Sequence, residues 1–478
     1  MKKTLAAAVA FALMSCAAVA SAAAPAARAA GFAAGPCPAD YAGASRTIEC
    51  GALTVPEAPG VVGGRNVILP VVIVRAREAT KQPDPVIFLP GGPGAGVVER
   101  VPAMLRSTLG ELVGTDRDWI FFDPRGVGLA APLLDCGSLQ LTDAGLVADG
   151  AVEAAKACLQ RHAAAGVDLS RYNAETIAQD VAALRKALNV GTYNIVGISY
   201  GSRLAFAVQR YTPEGLRAVI HDSPYPPEAK GTEELPRLVS REVREVLAIC
   251  AADPACAKRF PDLAKRLDAF AAGLVAAPKT IGERRYTAED LATFLLDATY
   301  SWSGARSLPR DLHAILEGRM EALDDYVASR SGYDEAANLA HFCKEELPFE
   351  SARAMRDSAQ GDPVAEAVAL VAQRYFDACE GGPFGPPNPA EIERVASDVP
   401  TLLLAAGIDA GCTAEATLEA VKTLARGQAV VFPNATHGLV RISECARGIA
   451  KAFLADPTGP VDRGCVATAH ARFPLTLD

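Results

Sequence analysis

The chain has 478 residues, of which 50% are hydrophobic and 22% are charged. This length and this hydrophobic fraction exclude a small module and a mostly disordered chain. They allow either one large core with an inserted subdomain or two to three domains. The formal net charge is −9 and no basic cluster stands out, so the composition argues against nucleic-acid binding.

The N-terminal residues have the composition of an export signal. Two lysines follow the initial methionine, residues 4–19 are almost all small and apolar, and residues 20–22 fit the small-x-small pattern of a cleavage site. We therefore predict a signal peptide over residues 1–22, an Ala/Pro-rich disordered segment over residues 23–36, and a periplasmic or secreted protein. A second interpretation stays open, because the Leu-Met-Ser-Cys sequence ending at Cys16 resembles a lipid-attachment motif. No later apolar run is long enough to span a membrane.

Strand-like and helix-like segments then alternate along the chain. Short runs of apolar and β-branched residues predict strands at 67–74, 86–89, 119–122, 193–198, 216–221, 400–405 and 429–432. Helical spacing of apolar residues is found at 177–188 and 203–211. Strands separated by helices predict a mostly parallel central sheet flanked by helices on both faces.

The middle of the chain has a different character. Between residues 224 and 399, Ala, Leu, Glu and Arg dominate at helical spacing and no clear strand occurs. We predict that residues 224–399 form a helical cap inserted into one α/β core, whose two parts are residues 37–223 and 400–478.

One predicted strand-turn-helix carries a candidate nucleophile. The only Gly-x-Ser-x-Gly of the chain is Gly197-Ile198-Ser199-Tyr200-Gly201. Small residues on either side of Ser199 allow a sharp, strained turn from strand to helix, which would expose the serine Oγ above the sheet. The alternative is an ordinary glycine-rich turn. The strand before the pentapeptide and the helix after it favour the nucleophile.

A serine nucleophile needs a base and an acid that orients the base. Asp409 follows the strand predicted near residues 400–405, and His437 follows the strand at 429–432, in the chain order expected after a Ser199 nucleophile. Both lie where the C-terminal ends of parallel strands form ligand sites. The alternatives are a turn residue for Asp409 and a surface histidine for His437. His221 ends an earlier strand and is the weaker candidate for the base.

The glycine-rich loop after residues 86–89 has two interpretations. A dinucleotide loop would need Gly-x-Gly-x-x-Gly opening a helix and an acid about 20 residues later. An oxyanion hole would use the N–H of Gly91 or Gly92 together with the N–H of Tyr200, next to the nucleophile. We favour the oxyanion hole, because Ser199 requires such a partner and Pro93 removes one backbone donor.

The cysteines are interpreted through export, which permits disulfides. Their spacing suggests local bridges, although connectivity is a hypothesis at this stage. The suggested pairs are Cys37 with Cys50, Cys136 with Cys158, Cys250 with Cys256, Cys343 with Cys379, and Cys445 with Cys465. Cys412 is left over, three residues after Asp409, either as a small buried residue or as a thiol that makes the site sensitive to oxidation or alkylation. The chain has no Cys-x-x-Cys and no adjacent histidine pair, so we predict no metal site.

Taken together, these motifs resemble a known family. Gly-Gly-Pro-Gly at 91–94, Asp-x-Arg-Gly-x-Gly at 123–128, and Gly-x-Ser-Tyr-Gly followed by Asp409 and His437 are similar to the proline iminopeptidase and tripeptidyl aminopeptidase group of α/β-hydrolase serine peptidases. The resemblance runs from about residue 37 to 465. It implies an α/β-hydrolase fold with a helical lid, a peptide substrate from which proline or a di- or tripeptide is released through an acyl-enzyme, and no cofactor.

The chain departs from the group at two positions. Pro90 precedes the glycine-rich loop where the group usually has histidine. Ala-Gly-Cys-Thr follows Asp409 where the group usually has x-x-Thr-Pro. The segment ending in Glu345 and Glu346 resembles the Cys-x-Glu lid element of the group, which implies that Glu345, with Glu346 beside it, binds the substrate amino terminus. A solvated pair on a helix surface is the alternative.

Two other functions remain open on the same residues. Fold and triad do not determine the leaving group, so a carboxylesterase or another small-ester or amide hydrolase is one alternative. A catalytically inactive binding protein is the other. The sequence carries no signal for an oligomeric state.

Overall fold

The computed structural model describes residues 31–39, 41, 46–61, 63–77, 81–114, 116–137, 146, 150–329, 334–469 and 472–478. The predicted signal peptide, with Cys16, lies outside the described residues.

The described residues contain eleven strands. In chain order they are β1 Gly31–Ala34, β2 Ile48–Pro56, β3 Asn66–Val74, β4 Val86–Leu89, β5 Trp119–Phe122, β6 Tyr193–Ile198, β7 Leu216–Asp222, β8 Lys279–Ile281, β9 Arg284–Tyr286, β10 Thr401–Ala406 and β11 Gly427–Phe432. Nine of them form one sheet in the order β1-β2-β3-β5-β4-β6-β7-β10-β11, and β8 pairs with β9 in a separate hairpin. Strands β5, β4, β6, β7, β10 and β11 run parallel to one another. At the other end of the sheet, β1 pairs antiparallel with β2, β2 with β3, and β3 with β5.

The described helices cover both faces of the sheet and fill the segment between β7 and β10. They are α1 Val101–Arg106, α2 Ala151–Ala164, α3 Ala174–Ala187, α4 Tyr200–Tyr211, α5 Gly231–Ala252, α6 Pro254–Arg259, α7 Leu263–Ala276, α8 Ala288–Tyr300, α9 Trp302–Leu316, α10 Glu321–Ser329, α11 Glu335–Glu345, α12 Ala352–Ala359, α13 Pro363–Cys379, α14 Ala414–Ala420, α15 Leu439–Ile442, α16 Glu444–Ala455 and α17 Gly464–Ala469. Short 3₁₀ helices lie at Val98–Arg100, Thr108–Glu111, Leu169–Arg171, Leu347–Phe349, Pro389–Ile392 and Val421–Thr423.

The central strands are buried on both faces, as the apolar runs predicted. Every residue of β4, β5, β6 and β10 is buried. Apolar side chains of α3 and α4 pack on one face of the sheet, and those of α16 pack on the other. Because the parallel strands all end at one edge of the sheet, the loops that follow β4, β6, β7, β10 and β11 meet there.

The segment predicted as a cap contains helices α5 to α13 and a hydrophobic cluster of its own. Helix α13 is central to it, since α13 packs against α5, α7 and α8. The β8–β9 hairpin was missed by the sequence interpretation. Each of its strands has three residues, which is too short for an alternating pattern to be recognised.

The predicted disordered segment is partly wrong. Residues 31–34 form β1, which pairs antiparallel with β2, Gly31 opposite Thr54. Phe32 packs over Gly51, where a side chain would meet the Phe32 ring at 2.5 Å. Residues 31–34 form a strand because they pair with the edge of β2 and because Gly51 leaves room for the Phe32 ring. Their own composition gives no strand signal.

Five disulfides join the pairs suggested by the spacing: Cys37–Cys50, Cys136–Cys158, Cys250–Cys256, Cys343–Cys379 and Cys445–Cys465. The sequence interpretation placed Cys343 and Cys379 in a single helical region. They instead lie at the ends of two helices, α11 and α13, which the bridge ties together. Cys412 is free and buried. None of the helices in the described ranges is long and apolar enough to cross a bilayer.

Candidate active site

Ser199 lies at the turn between β6 and α4 with φ 61° and ψ −129°, a strained conformation for a residue with a side chain. The glycines around it are required by close packing. A Cβ at Gly197 would lie 2.3 Å from the carbonyl oxygen of Gly201, and a Cβ at Gly201 would lie 2.1 Å from that of Leu89. The motif is therefore a steric requirement of this turn, which projects Ser199 from the sheet edge.

His437 and Asp409 meet at the same edge. His437 Nδ1 lies 2.7 Å from Asp409 Oδ2, and the Cys412 N–H donates to Asp409 Oδ1 at 3.0 Å. The Asp409 side chain is fully buried. Burial lowers the pKa of His437, but the charge of Asp409 and its hydrogen bond outweigh burial and raise that pKa above the ordinary value of 6.5. The arrangement suits a histidine that accepts a proton.

The loop that carries His437 is anchored by two polar residues that the sequence interpretation missed. Asp222, at the end of β7, accepts hydrogen bonds from the N–H groups of Leu439 and Val440 at 2.8 and 3.0 Å. Ser223 Oγ accepts one from the Gly438 N–H at 2.8 Å. The only sequence signal was an acid at the C-terminal end of a buried strand. These bonds hold the backbone directly after His437.

The glycine-rich loop after β4 adjoins the serine. A Cβ added at Gly91 would lie 2.9 Å from Ser199 Cβ, so the backbone there approaches the serine closely. Tyr200 is the first residue of α4, and the N–H groups of a first helical turn have no partner within the helix. Asp123 steadies the same loop by accepting from the N–H groups of Val97 and Val98 at 2.6 and 2.9 Å. The backbones of Gly91 and Tyr200 thus adjoin Ser199.

A cavity of about 690 Å³ opens over these residues. Its wall includes five of the residues that the sequence interpretation singled out: Gly91, Gly92, Ser199, Tyr200 and His437. Cys412 also lines the cavity, beside the Ser199 side chain. Burial, followed by the charge of Asp409, raises the pKa of the Cys412 thiol well above its ordinary value, so the thiol is protonated and weakly nucleophilic at neutral pH.

Glu345 does not reach the cavity wall. It is 1% exposed and lies at the end of α11, where its carboxylate accepts hydrogen bonds from the Tyr200 hydroxyl at 2.9 Å, the Arg203 Nε at 3.1 Å and the Ala174 N–H at 2.6 Å. His341 contributes a fourth contact at 3.0 Å. These partners belong to α3 and α4 of the core as well as to α11, so Glu345 joins the helical segment to the sheet domain.

Glu346 is also held inside the protein. It accepts from the Tyr225 hydroxyl at 2.5 Å and from the Thr232 N–H and hydroxyl at 3.1 and 2.9 Å. Burial raises the pKa of Glu346, and it raises the pKa of the neighbouring Glu350 to about 9. Tyr225 and Thr232 line the cavity, so Glu346 lies behind the wall and supports it.

His221 is unsuited to be the base. It is fully buried, its Nε2 lies 3.0 Å from Gln209 Oε1, and its ring stacks on Phe206 with a centroid distance of 4.0 Å. Burial lowers the pKa of His221 to about 3. Its role is packing between β7 and α4.

The family profile for the alpha/beta hydrolase fold matches residues 84–440. The chain belongs to this family. The match begins before β4, ends after β11 and includes the helical segment between β7 and β10.

Curated relatives include both peptidases and esterases. The chain is 31% identical to a tripeptidyl aminopeptidase of Streptomyces coelicolor over 203 residues, which is 39% of this chain and 37% of that protein. It is 26% identical to carboxylesterase B of Mycobacterium tuberculosis over 344 residues, 68% of this chain and 65% of that protein. It is 27% identical to serine protease Hip1 of the same organism over 197 residues, 38% of this chain and 37% of that protein. The alignment therefore covers little more than a third of the tripeptidyl aminopeptidase.

Among solved structures, proline iminopeptidase of Mycobacterium smegmatis matches 85% of this chain and 98% of its own, with 16% identity and a TM-score of 0.44. An esterase of Thermogutta terrifontis matches 87% of this chain and 100% of its own, with 16% identity and a TM-score of 0.38. The family profile confirms the α/β-hydrolase fold that the motifs predicted.

Proposed function

We propose that this protein is an exported serine aminopeptidase that removes short N-terminal units from peptides. The observation that carries the proposal is the 2.7 Å contact between His437 and Asp409 beside the strained Ser199, on the wall of one cavity. The peptidase relatives favour a peptide substrate. The five disulfides suit an oxidising compartment and favour export with a cleaved signal peptide over residues 1–22, with lipidation at Cys16 as the alternative.

The proposed reaction is acyl transfer in two halves. Ser199 Oγ attacks the scissile carbonyl carbon while its proton passes to His437, and Asp409 stabilises the imidazolium. The N–H groups of Gly91 or Gly92 and of Tyr200 would bind the oxyanion. The leaving amine takes the proton from His437, and water then hydrolyses the ester on Ser199.

Two acceptors on the cavity wall, Asp297 and Asn338, would bind N–H donors at the amino end of the substrate in place of Glu345 and Glu346. Asp297 is the only acidic residue among the described residues that line the cavity. It lies one helical turn before Tyr300, whose ring centroid is 4.7 Å from that of His437, so Asp297 belongs to the part of the lid that faces the reacting residues. A carboxylate there can pair with an ammonium group by a charge-assisted hydrogen bond.

Asn338 supplies the second acceptor. It is 3% exposed and lines the cavity, and its Nδ2 donates to the Pro93 carbonyl at 2.8 Å. Its Oδ1 is buried without a hydrogen-bond partner among the described residues. A buried acceptor left without a donor costs roughly 1–3 kcal/mol, so a peptide N–H that reaches Asn338 would relieve that cost. Both acceptors favour a substrate with N–H donors over a simple ester.

The test compares N-terminally free prolyl and tripeptidyl amides with the same amides blocked at the amino group, and with simple esters. We expect kcat/KM to favour the free amides, and we expect Asp297→Asn to reduce that preference by about 10–100-fold, the cost of one charged contact of roughly 1.5–3 kcal/mol. Hydrolysis of esters should change little in Asp297→Asn. Preference for blocked amides in the wild type would refute the aminopeptidase, and an unchanged preference in Asp297→Asn would exclude Asp297 from the subsite.

A carboxylesterase is the second candidate, because carboxylesterase B aligns with 68% of the chain. It would hydrolyse esters faster than either free or blocked amides in the same assay. An inactive binding protein would hydrolyse none of them, and its Ser199 would not react with a fluorophosphonate. Under any of these functions we propose the same division into core segments 37–223 and 400–478 and a helical cap at 224–399.

The pH dependence of kcat/KM tests the role of His437. A general base acts in its neutral form, and the pKa of His437 is raised, so we expect activity to fall on the acid side with a midpoint above 6.5. The positive charge of Arg441 lowers that pKa and the charge of Asp409 raises it. Arg441→Gln should therefore move the midpoint to higher pH, and Asp409→Asn, with its small residual activity, should move it to lower pH. A wild-type midpoint at or below 6.5 would contradict this assignment.

A further inference from the structure

Three side chains that can bind a metal ion through sulfur, nitrogen and oxygen lie near Ser199. One ligand atom each from Asp409, Cys412 and His437 lies within 4.8 Å of the other two. We propose that these three residues bind one thiophilic divalent cation, of the Zn²⁺ or Cd²⁺ class, and that the bound ion reversibly inhibits the hydrolase. This site is an inhibitory one, and the proposed catalytic reaction does not use a metal.

The ligand chemistry suits such an ion. Zinc in proteins takes thiolate, imidazole and carboxylate ligands, usually four in a tetrahedron, at about 2.0–2.3 Å. Ligand atoms at those distances from one centre lie roughly 3.3–3.8 Å apart, so a spacing within 4.8 Å requires only small side-chain movements. Mg²⁺ and Ca²⁺ prefer oxygen ligands and would not compete for this set.

The position of the ligands allows an ion to enter and makes the complex inhibitory. Cys412 and His437 line the cavity, while the Asp409 carboxylate lies behind them and is fully buried. An ion that enters the cavity therefore meets the Cys412 sulfur and the His437 ring first. The buried Asp409 carboxylate lies behind these two groups. Asp222 adds a second buried carboxylate whose charge acts on both His437 and Cys412.

Binding is a ligand exchange without redox change. The hydrated cation loses water ligands, the Cys412 S–H bond breaks with release of its proton to solvent, and a sulfur–metal bond forms. A ring nitrogen of His437 donates its lone pair, and the ionised Asp409 carboxylate donates an oxygen. The ion then competes with the 2.7 Å hydrogen bond between Asp409 and His437 and with proton transfer from Ser199, which stops turnover.

The test uses the full chain carrying Cys16→Ser, which leaves Cys412 as the one thiol outside the five disulfides, and no added thiols. Cd²⁺ titration should give an ultraviolet sulfur-to-cadmium charge-transfer band that saturates at one ion per chain, and Zn²⁺ should remove the band by competition. Ser199→Ala should retain the band, so metal binding is measured even if the proposed enzyme activity fails. For the active protein, Zn²⁺ inhibition should be reversed by a chelator.

Cys412→Ser and Cys412→Ala are the decisive variants. Changing a group that hydrogen-bonds to a metal ligand typically weakens metal affinity about 10–100-fold. Loss of the Cys412 thiolate, a ligand itself, should therefore raise the zinc inhibition constant at least tenfold. Inhibition is measured relative to the metal-free rate of each variant. The charge-transfer band should disappear in both variants. His313→Ala removes a histidine that contacts Arg266 elsewhere in the lid and should leave the band and the constant unchanged. Absence of the band in the wild type, or its persistence in both Cys412 variants, would overturn the proposal.

Discussion

Replacing Ser199 by alanine should reduce kcat by on the order of 10⁶-fold, because removal of the nucleophile from a serine triad abolishes the covalent route and leaves only binding and the oxyanion hole. Folding should be preserved. The turn at Ser199 is enforced by Gly197 and Gly201, and alanine occupies the same backbone conformation with a side chain that is smaller by one oxygen. The measurement is kcat on the best substrate from the peptide and ester panel, together with thermal unfolding.

Fluorophosphonate labelling gives an independent result for the same variant. The wild type should be labelled once and Ser199→Ala not at all. Ser358, an exposed serine on α12, provides the matched control, because Ser358→Ala removes the same atom away from the cavity and should keep both labelling and turnover. Activity of Ser199→Ala within tenfold of the wild type would remove Ser199 from the proposed role.

Glu345→Ala should destabilise the protein by about 3–5 kcal/mol, which is the usual cost of removing one partner of a buried ion pair. The Arg203 and Glu345 side chains are each 2% exposed and 3.1 Å apart, so the variant leaves a guanidinium in the interior without its carboxylate. It also removes the acceptor of the Tyr200 hydroxyl and of the Ala174 N–H. Denaturant unfolding with the five disulfides intact measures the change in the free energy of unfolding.

The double variant Arg203→Leu/Glu345→Leu separates the charge effect from packing. Replacing both partners of a buried pair by apolar residues is often close to neutral, so the double variant should be more stable than Glu345→Ala. Glu321, exposed on α10, is the control position, and Glu321→Ala should change the free energy of unfolding by less than about 0.5 kcal/mol. A loss below about 1 kcal/mol in Glu345→Ala would show that Glu345 does not anchor the helical segment.

A sequence motif can point to an important residue and still give the wrong partner for it, as the motif around Glu345 does. The Cys-x-Glu element indicated a carboxylate that binds the amino group of a substrate. In the fold, that carboxylate faces Arg203 on α4, which is 142 residues earlier in the chain. Nothing in the local sequence of α11 specifies this neighbour. Asp297 is the opposite case: no sequence motif marks it, yet it lies on the cavity wall. Only the packing of α8 places it there.

The local sequence was enough to predict the buried central strands and the turn at Ser199, because each depends on residues that are close together in the chain. Buried apolar runs predicted β4, β5 and β6 because both faces of these strands are covered, and the glycines around Ser199 predicted a turn that only they can form sterically. The spacing of the cysteines suggested the five pairs as a hypothesis, and the bridges in the structure match it. The tertiary structure alone decided which buried charges pair, that β1 joins the edge of β2, and that Cys412 lies against Ser199. Each of these depends on the distance between segments that are remote in the chain. The packing of the sheet and its helices sets that distance, and no local sequence pattern encodes it.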